Sequence, residues 1–194
     1  MANKLPYPVE LVQSWTLHDG TRIVIRPIRP DDRQIEKDFV RNLSNESRYF
    51  RFFNAVRDLN ETVLTRFTQV DYDTEMALIA VICEDGHETE IGVARYSMNP
   101  DGRSCEFAIA VADAWQRKGI GSKLMHSLMD AARSRGLETM EGWVLAGNAR
   151  MLALMDGLGF AIDANAGDPS LRHVVKNLAT RDFPAATVAN RETT

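Results

Sequence analysis

The stretch of residues 111–121 constrains the fold most, because one regular element ends there and another begins. It reads Val-Ala-Asp-Ala-Trp-Gln-Arg-Lys-Gly-Ile-Gly and follows an alternating segment, residues 103–112, that is typical of a strand. Beyond Gly121 the apolar residues recur at helical spacing, at Leu124, Met125, Leu128, Met129 and Ala132. The segment therefore predicts a strand, a tight turn and an amphipathic helix, with Gly119 and Gly121 at the helix N-terminus.

A turn of this kind favours an anionic ligand. The first backbone N–H groups of a helix lack intrahelical partners and the helix dipole is positive there. Arg117 and Lys118 add formal positive charge beside Gly119 and Gly121. The pattern Gln-x-x-Gly-x-Gly is short, and the chain contains neither the dinucleotide-binding fingerprint nor the nucleotide-binding P-loop. The turn predicts a pyrophosphate site but does not identify the ligand by itself.

The order of elements predicts an α/β (α+β) protein. A hairpin at Asp19-Gly20 precedes three helical stretches, near residues 31–40, 46–53 and 60–70. Residues 76–83, 90–98 and 103–112, separated by turn sequences, predict an antiparallel meander. After the helix that ends at Gly136, the pattern predicts a strand at 138–145, a helix at 149–158 and strands at 160–164 and 171–178.

Length and composition indicate one domain. With 194 residues and 44% hydrophobic residues, we expect an N-terminal arm at 1–14, a single domain at 15–180 and a polar tail at 181–194. The net charge of -4, without a Lys/Arg run, argues against a nucleic-acid partner. No signal peptide or long apolar stretch occurs, and the four histidines are scattered, so we expect a cytoplasmic protein with no membrane partner and no metal. The oligomeric state stays open, with a homodimer as one alternative.

These elements together resemble the GNAT superfamily of acyl-CoA-dependent N-acyltransferases over roughly residues 21–178. Four longer runs, residues 25–30, 43–53, 71–78 and 105–108, resemble the acetyltransferase domain of bacterial protein lysine acetyltransferases. The resemblance implies the GNAT fold, a mixed central sheet in which an antiparallel meander is followed by a parallel strand pair, flanked by helices.

The resemblance also implies acetyl-CoA as the donor and assigns its contacts. The pyrophosphate would lie on the turn, at Gln116, Arg117, Lys118, Gly119, Ile120, Gly121 and Ser122. The pantetheine arm would follow the backbone of Ile109, Ala110 and Val111, with Asn148 and, one helical turn later, Met151 nearby. The side chains of Ile109 and Val111 are expected to pack in the core.

Acetyl transfer to an amine needs a base. A lysine side chain has a pKa near ~10.4, so only about one molecule in two thousand is the free amine at neutral pH. Glu106 is the candidate general base, and we expect partial burial to raise its pKa. The resemblance places the catalytic glutamate here, whereas an isolated strand glutamate is ordinarily only solvated. Cys105 is disfavoured as a nucleophile, because strand alternation directs it to the opposite face.

Two further features bear on the mechanism. Many superfamily members have a tyrosine seven positions after the asparagine to protonate the departing thiolate, but this chain has Met155. Acidic residues at 71–75 are candidates for attracting a cationic acceptor, while those at 84–90 are expected to be solvated.

We favour N-acetyl transfer to a protein lysine. The alternatives are a small amine acceptor and a non-catalytic acyl-CoA-binding domain.

Overall fold

The computed structural model describes residues 5–53, 59–163 and 167–179, and it confirms the expected mixture of strands and helices. The strands are β1 Gln13–Thr16, β2 Arg22–Pro27, β3 Glu75–Glu84, β4 His87–Met98, β5 Ser104–Val111, β6 Thr139–Leu145, β7 Ala161–Asp163 and β8 Leu171–Asn177. The helices are α1 Arg33–Asn42, α2 Asn45–Phe52, α3 Glu61–Thr68, α4 Ile120–Ser134 and α5 Ala149–Gly157. The expected tail at 181–194 and the first four residues of the expected arm lie outside the described residues.

One sheet of eight strands, in the order β1-β2-β3-β4-β5-β6-β8-β7, forms the centre of the molecule. The first five strands are neighbours in chain order and pair antiparallel, as the turn sequences predict. β5 and β6 pair in parallel, and β6 pairs antiparallel with β8. The meander followed by a parallel pair is therefore confirmed.

Helices α1 and α4 cover opposite faces of this sheet. Arg95 of β4 reaches Glu36 of α1, at 3.5 Å between Nη2 and Oε1. A Cβ atom on Gly92 of the same strand would instead lie 3.1 Å from a methyl carbon of Leu124 in α4. Because side chains alternate along a strand, these contacts place the two helices on different faces. The central strand β3 is consequently buried along most of its length.

A β-bulge between β3 and β4 changes which side chains face α1. Ala80 pairs with Gly92 but Val81 pairs with Glu90, so β4 carries one extra residue there. The extra residue turns Glu90 towards Glu36, and Glu90 is only 4% exposed. Burial and the neighbouring Glu36 carboxyl raise the pKa of Glu90 well above its ordinary value. The prediction that residues 84–90 are all solvated is wrong at this position.

The pairing between β5 and β6 is short, and this creates a free strand edge. It covers only the pairs Ser104 with Thr139, Cys105 with Met140 and Glu106 with Glu141, while β6 continues to pair with β8. Beyond these three residue pairs, β5 is paired with β4 alone. The side of β5 that faces away from β4 is therefore open to a ligand.

Candidate active site

A cleft of about 330 Å³ follows this free edge of β5. Residues from α2, the turn before α4, and α5 complete its walls. Most residues expected to bind the donor line it, namely Ile109, Ala110, Val111, Gln116, Arg117, Gly119, Gly121, Ser122, Asn148 and Met151. The turn and the strand edge thus form one continuous surface.

The register of β5 determines which backbone groups face the cleft. Ala112 N–H donates to the Ile91 carbonyl at one end of the pairing between β4 and β5, and Asn99 N–H donates to the Ser104 carbonyl at the other end. The register is continuous between these two ends, so the even-numbered residues of β5 are the ones that hydrogen-bond to β4. In an antiparallel ladder only every second residue directs its backbone groups to the neighbouring strand. Ile109 and Val111 are the intervening residues, so their N–H and C=O groups point away from β4. Ala110 directs its backbone groups to β4.

The turn before α4 offers unpaired N–H groups. Arg117 and Gly119 both have left-handed backbone conformations, with φ of 63° and 81°. Gly119 is the N-cap of α4 and no side chain caps the helix, whose first backbone bond runs from Lys123 N–H to the Gly119 carbonyl. The N–H groups of residues 120–122 therefore have no intrahelical partner. Together with the free strand edge, they fit a ligand with an extended amide-containing arm and a diphosphate.

The side chains of Lys118 and Ile120 lie outside this cleft. The Lys118 ammonium lies 4.6 Å from the centroid of the Trp115 ring, in a cation-π contact. Ile120 is 1% exposed and belongs to the hydrophobic core. The contribution expected from Ile120 is therefore limited to its backbone N–H group.

Helix α2 is fastened to the turn by Asp113 and Gln116. The Asp113 carboxylate accepts hydrogen bonds from the backbone N–H and hydroxyl of Ser44 and from the hydroxyl of Ser47, at 2.8–2.9 Å. Gln116 donates to the Val111 carbonyl at 3.2 Å and to Ser47 at 3.3 Å. Burial acts to raise the pKa of Asp113, but the hydrogen bonds outweigh it and lower the pKa. These contacts make α2 one wall of the cleft.

The contribution of α2 to the cleft was not predicted from the sequence. Glu46, Ser47, Phe50 and Arg51 all line the cleft. They lie in the run at 43–53 that carries the family resemblance, but nothing in the local pattern indicates that this helix faces the turn. The hydrogen bonds to Asp113 form between residues that are 66–69 positions apart.

Helix α5 closes the cleft from the other side. The Asn148 side chain accepts a hydrogen bond from Met151 N–H at 3.1 Å and caps this helix. A Cβ atom on Gly121 would lie 3.3 Å from a methyl carbon of Leu154 in α5. The absence of a side chain at Gly121 therefore lets α4 and α5 approach each other beside the donor cleft.

Glu106 lies in a second pocket, of about 430 Å³, that adjoins the cleft. Arg51 lines both spaces and so marks their boundary. Glu106 is exposed, and it forms no hydrogen bond or ion pair with any residue that the structure describes. The expected partial burial is wrong, because the side chain faces this open pocket, not the packed face of β5 that holds Cys105 and Phe107.

Other acidic side chains accompany Glu106 on its face of the sheet. The strand register aligns Glu75, Ser97, Glu106 and Glu141 in one row across β3, β4, β5 and β6. Glu141 accepts from Asn99 at 2.8 Å and lies 2.9 Å from Nε2 of His173. Asp71, in contrast, uses its carboxylate on the N–H groups of residues 73–75 and stabilises its own loop. Glu75 is thus the member of the 71–75 group that lines the pocket.

Cys105 and Met155 are both buried. Cys105 is 0% exposed, and burial together with the charges of Glu141 and Asp101 raises the pKa of its thiol to about 12. A thiolate nucleophile is therefore disfavoured here, as the alternation predicts. Met155, at the position where a tyrosine is common, is also 0% exposed and belongs to the core.

The described part of the chain contains neither a metal-binding cluster nor a membrane-spanning helix. Among residues 5–53, 59–163 and 167–179, no cluster of three or more His, Cys, Asp or Glu side chains is arranged to hold a metal ion. In the same ranges, no helix has the length and apolar character needed to cross a bilayer.

Comparison with known sequences identifies the same family as the motifs. The profile of the Acetyltransferase (GNAT) family matches residues 37–160. Acetyltransferase PA5475 of Pseudomonas aeruginosa is 34% identical over 164 residues, which are 84% of this chain and 87% of that protein. Acetyltransferase Pat of Mycolicibacterium smegmatis is 30% identical over 155 residues, 79% of this chain. The match covers only 44% of the length of Pat.

Solved structures agree on the fold. The GNAT domain of S. lividans PAT superposes with a TM-score of 0.80 at 27% identity, over 89% of this chain and 99% of that domain. The structure of yncA from Salmonella typhimurium with its cofactor acetyl-CoA has a TM-score of 0.62 at 22% identity, over 84% of this chain and 98% of that one. The second likeness concerns the fold alone.

Proposed function

The chain belongs to the GNAT family of acetyltransferases, and from this premise we propose that it acetylates a primary amine, with a protein lysine side chain as the leading acceptor. As a member of this family it is an enzyme that uses acetyl-CoA as its donor. The identity of the acceptor and the role of Glu106 are the proposed parts.

The position of Glu106 carries the proposal. It is the last residue of β5 that pairs with β6, so the free strand edge of the donor cleft begins directly after it. Its carboxylate faces the adjoining pocket and is not occupied by another described residue. A carboxylate at this junction is suited to take a proton from an amine that approaches a thioester held along β5.

The donor is held by backbone groups in this mechanism. The unpaired N–H groups at the start of α4 bind the diphosphate, and Ile109 and Val111 offer backbone groups to the pantetheine arm. Bound acetyl-CoA supplies an acetyl group activated as a thioester. The N–H group of Val111 points away from β4 and donates to the carbonyl oxygen as negative charge develops there.

The chemical step is direct transfer. The amine nitrogen attacks the thioester carbonyl while Glu106, directly or through a water molecule, accepts the proton that the nitrogen loses. The carbon–sulfur bond then breaks and the sulfur leaves as a thiolate. Buried Met155 is not an acid, and none is required in this step, because a thiol with an ordinary pKa of about 8.5 is a good leaving group.

The run at 43–53 supports a protein acceptor. It carries much of the resemblance to protein lysine acetyltransferases, and it forms α2, which lines both the cleft and, through Arg51, the adjoining pocket. A small amine is the alternative acceptor. A cytoplasmic location and a homodimer stay predictions from the sequence.

An acceptor panel tests the proposal. The purified protein is incubated with acetyl-CoA and release of the CoA thiol is followed with lysine peptides, N-terminally free peptides without lysine, small polyamines and no acceptor. We expect acceptor-dependent release with lysine peptides, and mass spectrometry should locate the acetyl group on the ε-nitrogen. Release with polyamines alone would favour the small-amine alternative, and release with none of them would contradict amine acetylation.

A further inference from the structure

Three arginines from different elements meet in the pocket that contains Glu106. Arg51 comes from α2, Arg66 from α3 and Arg95 from β4. A pocket that receives only an ammonium group would gain nothing from three guanidinium groups, because like charges repel. Their presence beside Glu106 indicates that the acceptor carries more than a positive charge.

Two of these guanidinium groups are held by a pair of stacked rings. Arg95 lies 4.2 Å from the centroid of Phe67, and Arg51 lies 5.1 Å from the centroid of Phe52. Phe52 and Phe67 are nearly parallel, at 8° and 6.5 Å between centroids. Cation-π contacts orient a guanidinium group but leave its N–H donors free. The stack therefore holds two cations in place while they stay able to donate hydrogen bonds.

Two of the three positive charges have no ion-pair partner among the residues that the structure describes. Arg95 contacts the Glu36 carboxylate at 3.5 Å and the Phe67 carbonyl at 3.4 Å. Arg51 and Arg66 form no ion pair or hydrogen bond with any residue in the described ranges. Burial and the charge of Arg95 lower the pKa of Arg51 to about 10, against the effect of Glu36. A guanidinium group that is buried beside another cation and has no ion pair is stabilised when a bound ligand supplies an anion.

The negative charges of the pocket lie along a different row of the sheet. Glu75 and Glu106 share a row across β3 to β5, whereas Arg95 aligns with Ala77 and Ala108 in the next row on the same face. Two residues along a strand separate these rows, roughly 7 Å. One end of the pocket thus suits an ammonium group and the other suits an anion.

We propose that Arg51, Arg66 and Arg95 form a subsite for a carboxylate of the acceptor, so that the acceptor is an amine with a carboxylate close to it. This inference rests on the proposed function, since it describes the acceptor of the same reaction. The carboxylate belongs either to a free amino acid or to a peptide, as an acidic side chain near the acceptor lysine. Guanidinium groups bind carboxylates through paired, charge-assisted hydrogen bonds in both cases.

Matched acceptor pairs test the subsite. Lysine is compared with lysinamide, and a lysine peptide with a neighbouring glutamate is compared with the same peptide carrying glutamine. We expect kcat/KM to be at least about tenfold higher for the carboxylate member in one of the two pairs. The pair that shows this difference identifies whether the carboxylate belongs to a free amino acid or to a peptide. Equal values within both pairs would overturn the inference.

Arginine variants supply the second arm. Arg51→Gln and Arg66→Gln should each lower kcat/KM for the carboxylate member more than for its neutral partner. The ratio of the two kcat/KM values, which measures the preference, should therefore fall towards one. Arg66→Lys should retain part of it. Arg22→Gln removes the same charge from an exposed position on β2, outside the pocket, and should retain the whole preference. A preference that survives in both glutamine variants would also overturn the inference.

Binding measurements separate this inference from the proposed function. Calorimetry with the same pairs, in the presence of CoA, needs no turnover. Tighter binding of the carboxylate members to the wild-type protein than to Arg66→Gln supports the subsite even if no acetyl group is transferred. Equal binding of both members contradicts the subsite, while absence of transfer to any amine contradicts only the proposed function.

Discussion

Replacing Glu106 by glutamine tests the proposed general base most directly. The side chain is exposed and makes no hydrogen bond or ion pair with a described residue, so removal of its charge should change the free energy of unfolding by no more than about 0.5 kcal/mol. A positioned general base contributes about 10²–10⁴ to the rate, roughly 2.7–5.5 kcal/mol of activation free energy. The expected loss of activity is therefore much larger than any loss of stability.

The pH dependence of Glu106→Gln provides a further check. Without a base only the free amine reacts, so kcat/KM of the variant should rise about tenfold per pH unit until the pH approaches the amine pKa near ~10.4. The wild-type profile should be flatter over the same range. Activity is measured by release of the CoA thiol with saturating acetyl-CoA between pH 7 and pH 10. Urea denaturation measures the stability of the same variants, and calorimetry measures their binding of CoA.

Glu84→Gln is the matched control, because Glu84 is also an exposed strand glutamate without a partner among the described residues. It should behave as the wild type in every assay. A Glu106→Gln variant that keeps kcat/KM within about threefold of the wild type at pH 7, with the same pH profile, would remove Glu106 from the mechanism.

Three other predictions concern the cleft and the fold. Gly121→Leu should abolish the rise in melting temperature that CoA produces, because the new side chain meets Leu154 and must enter the cleft; Gly157→Leu, which enters open space, should keep that rise. Arg26→Ala should destabilise the protein by about 3–5 kcal/mol in urea denaturation, because it leaves a buried carboxylate without its partner at 2.7 Å. The lowered pKa of Asp113 means that its carboxylate stabilises the fold at neutral pH and loses this effect as the pH falls below about 4. The wild-type advantage over Asp113→Asn in urea midpoint should accordingly be present at pH 7 and decrease progressively as the pH falls below about 4.

Local patterns in the sequence predicted most of the elements. Alternation along β5 separates Cys105 in the core from Glu106 outside it, and Asp19-Gly20 lies in the turn of the expected hairpin. The turn before α4 needs a residue with positive φ at its N-cap, and Gly119 supplies one at 81°. These features were predictable because each depends on backbone preferences and burial periodicity within a few residues.

The tertiary structure decided how these elements combine into a site. The exposure of Glu106 depends on the open pocket that α2 and α3 leave over its face of the sheet, and the burial of Glu90 depends on a bulge opposite β3. Arg51 reaches the pocket because Asp113 fastens α2 to a turn more than sixty residues later in the chain. Sequence periodicity reports the environment of a residue along its own element. Contacts between distant elements are selected by the packing of the whole domain, so only the folded chain brings the donor cleft, Glu106 and the arginines together.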